Sequence, residues 1–481
     1  MWRDTMMKNK ELYFKILFWT LWAVLVTVCV YYIVHNAQWL IGDDAIVIRH
    51  TGFGKAFLPS DTVNPGAGRF YPFAYLAYNI LLLFGGDHIS PMAHYALEAM
   101  FFLVFVVSVT MLVLSILEEQ KVIWKYSIAL LVTIVFVGRV YPLYTECFST
   151  AWCGCSILAV FMLCTFLFYK KQKWIYGFLS LLCINYSCYC GESAFVLPLS
   201  FGVCSLLFQR KTMTRKVKAF NWCLVGSSIL FLVLYAILVL PYIKSSYDSA
   251  HGSEVGVFEN AVRMLWAQKL LVLALVLFVI RLVDIIRNKK DYTIYDNLLM
   301  SAAACCCGNF VLRLNWTLYY NGPALLVLPS ILYFSIYYLK ERWTLVLFIA
   351  LALFYGRKIP TTIQKNQKHR SDVYREITSL STMIDQTSNV FWYGPSTDEH
   401  SYDLILRDWK HHSLDTYLGW LRFEPDFSTT EIENFERIDN SIWLSTIENK
   451  QLFPEDSCLL KYGELIFSVD SIQGYRVLIH E

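Results

Sequence analysis

The segment "IGDDAIVIRH", residues 41–50, follows directly on the first long apolar run of the chain. It sets two adjacent carboxylates, Asp43 and Asp44, at an apolar boundary, with Arg49 and His50 close behind. Neighbouring carboxylates repel each other and lose hydration at such a boundary, so their placement asks for a reason. One reason is structural: Asp43 caps a short helix and Asp44 lies in its first turn, beside the positive end of the dipole. The other is chemical. A carboxylate there can deprotonate an acceptor hydroxyl, or the pair can hold a divalent cation such as Mg or Mn. The rest of the loop adds Lys55, Asp61 and Arg69 among apolar and aromatic residues.

Other ionisable groups fall near the same boundary. His94 and Glu98 are four apart and share one face of a helix inside the second long apolar run. An ionisable residue at that depth is a functional candidate, with a mutually satisfied structural pair as the alternative. Arg139 ends the third run, Glu146 lies in "YPLYTECFSTAW", Glu192 in "CYCGESAFVLPL" and Arg313 in "VLRLNWTLYYNGP". Snorkelling accounts for each Arg in the bland reading, and a loop or cap role for each Glu. The chemical reading makes Arg49, His50, Lys55, Arg69, His94, Glu98, Arg139, Glu192 and Arg313 a surface that binds substrate and a lipid phosphate.

The elements that must position these groups are membrane helices. Of 481 residues, 56% are hydrophobic and only 16% charged, and the mean hydropathy is +0.44. The apolar residues come in long blocks, which predicts a polytopic α-helical membrane protein. Spans are expected near 13–35, 91–116, 123–141, 150–169, 174–190, 192–208, 219–242, 264–285, 295–312, 322–339 and 341–356, about eleven in all. Basic connections at 170–173, 210–218 and 287–290 share the side of the basic N-terminus only if the apolar run 69–86 does not cross. That run is therefore expected as an interfacial helix, and a second, amphipathic one over "AIVIRHTGFGKAF". The chain then runs N-in and C-out, with a first outer loop over 36–90. A net charge of +3 gives no electrostatic pull towards nucleic acid. The 14 cysteines sit mostly in apolar runs and form neither a zinc spacing nor a disulfide framework.

Composition changes sharply after residue 357. "RKIPTTIQKNQKHRSD" reads as a polar linker, followed by a helical pattern near 372–385. The strand-like runs "NVFWYG", "SIWLS", "CLLKYG", "ELIFSV" and "YRVLIH" come next. Residues 1–357 are thus expected to form the membrane-embedded region and 358–481 a small exported α/β domain.

The position of "GDDA" after the first span, the segment "GRFYPFAYLAYNILLLF", the N-in orientation and the tail from about 358 resemble the GT-C integral-membrane glycosyltransferases. "ESAFVLPL" is similar to an acidic turn found in several of them. The resemblance covers the layout of the whole chain, and its acidic motif carries over to Asp43 and Asp44. It implies transfer of a sugar from a polyprenyl-phosphate donor to a glycan, lipid or protein acceptor. It also implies residence in the cell (inner) membrane among its lipids, with the active site facing the periplasm or exterior. Ile46 stands where some members carry an aromatic residue, and Arg49 falls at a shifted offset. Two other readings are a lipid-linked-oligosaccharide flippase or transporter, and an O-antigen-type polymerase. Transport calls for broken helices and mid-membrane charges. Polymerases of that type tend to carry a large outer loop late among the spans, which this chain lacks.

Overall fold

The computed structural model describes residues 2–35, 37–42, 44–51, 63–64, 69–74, 76–82, 88–145, 149–242, 262, 266, 269–311, 327–387, 389–393, 402–424, 426–432, 438–446, 462–470 and 472–478. Long apolar segments have no solvent partner for their peptide groups in lipid, so each closes its hydrogen bonds internally as a helix. The helices are α1 (Trp2–Val34), α2 (Asp44–Thr51), α3 (Asn79–Leu82), α4 (Pro91–Ile116), α5 (Val122–Val140), α6 (Ser149–Lys171) and α7 (Trp174–Cys190). They continue with α8 (Val196–Phe208), α9 (Arg215–Leu238), α10 (Lys269–Arg287), α11 (Ile294–Val311), α12 (Val327–Gly356), α13 (Lys358–Ile384) and α14 (Tyr402–Arg422).

Six helical stretches among the described residues are long and apolar enough to cross a membrane. They are Glu11–Val34, Pro91–Ile116, Val122–Tyr144, Cys153–Lys171, Arg215–Tyr242 and Val327–Ile384. The apolar helices α7 and α8 are shorter. The protein is a polytopic membrane protein. Within α12 the chain breaks at Lys340 (φ 60, ψ 174), at the expected boundary between two apolar runs.

Local chemistry sets the ends and the crossings. Ser90 caps α4, its hydroxyl accepting from Ala93 N at 3.2 Å, with Pro91 at the first helical position. At Gly138 a methyl group would run into the Tyr355 carbonyl, so the missing side chain lets α5 and α12 touch backbone to backbone. At the other end of the bundle Arg281 grips Asp296 with two hydrogen bonds of 2.8 and 2.9 Å, tying α10 to the start of α11.

The basic connections gather at one end. Thr214 donates to Gln172 at 3.1 Å and Gln209 to the Tyr292 carbonyl at 3.3 Å, joining the loops after α6, α8 and α10. Asp44 lies at the opposite end. There the segment 69–86 differs from the expected interfacial helix. Its described part is strand β2 (Arg69–Phe70), paired with β1 (Val63–Asn64), then a turn, a 3-10 turn at Leu76–Tyr78 and the single turn α3. It is pinned to the end of α7, because Phe73 N donates to Tyr189 O at 2.9 Å while Phe73 O accepts from Tyr186 at 3.3 Å.

The polar stretch from Lys358 is not a linker. It is the first half of α13, whose buried positions Ile359, Asn366, Arg370, Val373, Ile377, Leu380 and Ile384 follow a helical stripe. The helix expected near 372–385 is only the C-terminal half of this element. The sheet beyond it has strands β3 (Asn389–Tyr393), β4 (Thr430–Ile432), β5 (Ser441–Thr446), β6 (Gly463–Val469) and β7 (Ile472–Val477). Their order is β4-β3-β5-β7-β6, with β3 parallel to β4 and β5 and the remaining pairs antiparallel. Four of the five strand-like runs appear as strands, and "CLLKYG" falls largely outside the described residues. Helix α14, not foreseen, joins β3 to β4. Ile442 and Leu444 of β5 belong to the same hydrophobic cluster as the bundle, and the intervening Trp443 to a second cluster on the other sheet face.

Candidate active site

Asp44 begins α2 and is 1% exposed. Its Oδ2 accepts the Leu40 N–H at 2.8 Å and the Tyr95 hydroxyl at 3.2 Å, so the first loop and α4 hold one oxygen from two sides. Two hydrogen bonds and near-complete burial fix the carboxylate rather than leave it to wander at the surface. The neighbours on α4 complete a polar cluster. His94 Nε2 stands 3.2 Å from Glu98 Oε1, and both side chains are fully buried. The charges of Asp44 and Arg370 both reach this pair. An aromatic wall encloses it: His94 packs on Trp39 (5.3 Å between ring centres), Tyr78 (5.5 Å) and Tyr95 (5.0 Å).

Arg370 is the residue that the sequence did not announce. Projecting from α13 at 2% exposure, it donates to Ile33 O at 3.2 Å and Thr145 O at 2.7 Å. Its guanidinium lies 3.8 Å from the centre of the Tyr95 ring. One cation thereby caps the C-terminal end of α1, braces the turn after α5 and backs the ring whose hydroxyl holds Asp44.

A roof comes from α14. Ser413 reaches the Gly42 carbonyl at 3.5 Å, Trp420 Nε1 donates to Ile89 O at 3.3 Å, and Trp420 meets Trp39 edge-on at 6.1 Å. His88 stacks between Trp420 (4.3 Å) and Phe423 (4.2 Å). Tyr417 is buried near Asp44, and its phenol is pushed up by burial, with the charges of Asp44 and Tyr374 adding. It therefore stays a neutral O–H donor. Several buried polar atoms converge here with no hydrogen-bond partner among the described residues: Tyr417 Oη, Trp39 Nε1, His94 Nδ1 and Glu98 Oε2. Buried groups of this kind cost stability and mark a place built to meet something polar.

The structure gathers some of the expected site residues and separates others. Asp44, His94 and Glu98 come together. Arg49 is exposed on α2 and donates instead to Thr416 of α14 at 3.4 Å. Arg139 lies apart, among Tyr355, Cys155 and Lys358. Asp43, Lys55, Asp61, Glu146 and Arg313 lie outside the described residues, as do the side chains of His50, Arg69 and Glu192. Among the described residues no three His, Cys, Asp or Glu side chains are placed to hold a metal ion. Asp43, the partner of Asp44 in the pair that the sequence offered as ligands for Mg or Mn, lies outside those residues.

Comparison with known proteins gives the fold. Two crystal structures of ArnT from Cupriavidus metallidurans, one bound to undecaprenyl phosphate and one apo, are similar to this chain. Each matches with a TM-score of 0.50 at 11% identity over 95% of this chain, and over 98% and 97% of its own length respectively. ArnT is a GT-C glycosyltransferase, and the fold of this chain is GT-C-like. No family model matches the chain, and no curated protein matches its sequence.

Proposed function

We propose that this chain, with its GT-C-like fold, is a membrane glycosyltransferase that takes a sugar from a polyprenyl-phosphate donor. The acceptor is a glycan, lipid or protein on the outer face of the cell (inner) membrane, towards the periplasm or exterior. In this reading about eleven spans run N-in and C-out, residues 1–357 form the catalytic region, and 358–481 close over it. The observation that carries the proposal is the buried Asp44, held by Leu40 N and Tyr95 and ringed by polar atoms that lack a hydrogen-bond partner among the described residues.

The chemistry follows from those groups. Asp44 takes the proton of the acceptor hydroxyl as its oxygen attacks the anomeric carbon. The bond from that carbon to the phosphate oxygen breaks, and polyprenyl phosphate leaves with the electron pair. Arg370 contributes fixed positive charge beside the base without moving. Tyr417 donates a hydrogen bond to a sugar or acceptor oxygen, and Trp39, Tyr78 and Trp420 keep water out.

A membrane assay with a labelled polyprenyl-phosphate sugar tests this. Asp44→Asn is expected to lower transfer by about a hundredfold or more, the usual range for losing a general base. Transfer that persists unchanged in both Asp43→Asn and Asp44→Asn removes the mechanism. The same assay in EDTA, with Mg or Mn added back, reads whether a divalent cation takes part.

A further inference from the structure

A second charged feature lies on an exposed face of the bundle, where the start of α10 meets the junction of α12 with α13. Lys269 Nζ stands 4.6 Å from the centre of the Phe354 ring, the Arg357 guanidinium 5.1 Å and Lys358 Nζ 5.7 Å. Lys358 also lies 5.5 Å from the Tyr355 ring, and Lys269 5.4 Å from that of Trp266. Three cations from two elements, the start of α10 and the junction of α12 with α13, thus crowd one aromatic ring. No described carboxylate pairs with any of the three, and Arg139 adds a fourth positive charge within reach of Lys358. Like charges at this range repel, and ring faces return only part of that cost.

The surroundings say what would neutralise them. Trp266 is 77% exposed and Leu353 72%, and Val346 and Ile349 on the same helix are exposed as well. An exposed Trp beside cations at the end of an apolar helix is the pattern of a membrane–water boundary. Lys358 and Arg370 are 12 residues apart on α13, which is about 18 Å along the helix. The cation cluster is therefore not part of the Asp44 pocket.

We propose that Lys269, Arg357 and Lys358, around Phe354, form a binding site for the phosphate head of a membrane lipid whose chains lie along Val346, Ile349 and Leu353. A phosphate oxygen accepts from both ammonium groups and from the guanidinium fork, and the apolar helix face takes the acyl or prenyl chain. The site stands whether or not the chain transfers sugars.

The test uses purified full-length protein in detergent micelles. Its readout is binding by native mass spectrometry, with three lipids offered separately: phosphatidylglycerol, undecaprenyl phosphate and the zwitterionic phosphatidylcholine. The wild type is expected to hold an anionic lipid, and the Lys269→Gln/Arg357→Gln/Lys358→Gln variant to bind it about a hundredfold more weakly. Retention of phosphatidylglycerol identifies a bilayer lipid as the occupant, and retention of undecaprenyl phosphate alone identifies the carrier. Both outcomes uphold the site. Should the triple variant fold poorly, Lys269→Arg/Lys358→Arg keeps the charge and must retain binding, while Arg357→Gln alone must weaken it. Equal binding by wild type and neutralised variants, or equal retention of phosphatidylcholine, overturns the proposal.

Discussion

Asp44 is held from two sides, by the Leu40 N–H close in sequence and by the distant Tyr95 hydroxyl, with Arg370 behind that ring. Asp44, His94 and Glu98 were legible because an ionisable residue inside or beside an apolar run stands out. Arg370 was not, since its neighbours are polar and read as a linker. The signal was nonetheless present: Ile359, Ile363, Asn366, Arg370, Val373 and Ile377 recur at spacings of three and four, so two polar residues occupy core positions of a helix. Arg370→Gln leaves two backbone carbonyls short of a donor and removes the positive charge near Glu98. It is expected to cost about 1–3 kcal/mol, read as lowered thermal stability of the purified protein, with Arg370→Lys falling between. Tyr417→Phe removes only a buried hydroxyl that has no hydrogen-bond partner among the described residues. Its folded protein is expected to match the wild type in stability and to lose about tenfold in transfer, since one hydrogen bond to substrate is worth about that much.

At the scale of elements, long apolar runs announced their helices, because lipid leaves the backbone no other choice. The short pieces between them were harder to read. The run at 69–86 became a strand, a turn and two short helical turns, because Phe73 bonds the end of α7 through both its N–H and its carbonyl. Periodicity carries no trace of such tertiary contacts. Lys340 offers a test at this scale. With φ 60 and ψ 174 it occupies backbone territory nearly reserved for glycine, where the chain breaks between the two halves of α12. Lys340→Gly is expected to raise stability by about 1 kcal/mol, visible as a higher unfolding temperature in detergent. An unchanged or lower value would mean that the Lys side chain contributes more than the backbone strain costs.

For the whole molecule, the sequence predicted a membrane bundle and an α/β tail, and the structure packs them around one hydrophobic cluster. The part not foreseen was α14, although Leu414, Tyr417, Leu418 and Leu421 recur at helical spacing and give the segment an apolar face. Its contacts with the first loop give it a task. A chain ending after Ile384 loses the roof over Asp44, exposing Trp39 and Leu414's packing partners to water. Such a truncation is expected to abolish transfer while the bundle still inserts, checked by protease protection of the spans alongside the assay. Unchanged transfer would assign this region a role away from the site.

That roof also orders events in time. Ser413 meets Gly42 across 371 residues of chain, so the parts of the site nearest the N-terminus wait in the membrane for partners still on the ribosome. At ordinary elongation speeds the wait is about 20–75 s. Over that interval the growing chain presents Asp44 without the cover that α14 later supplies.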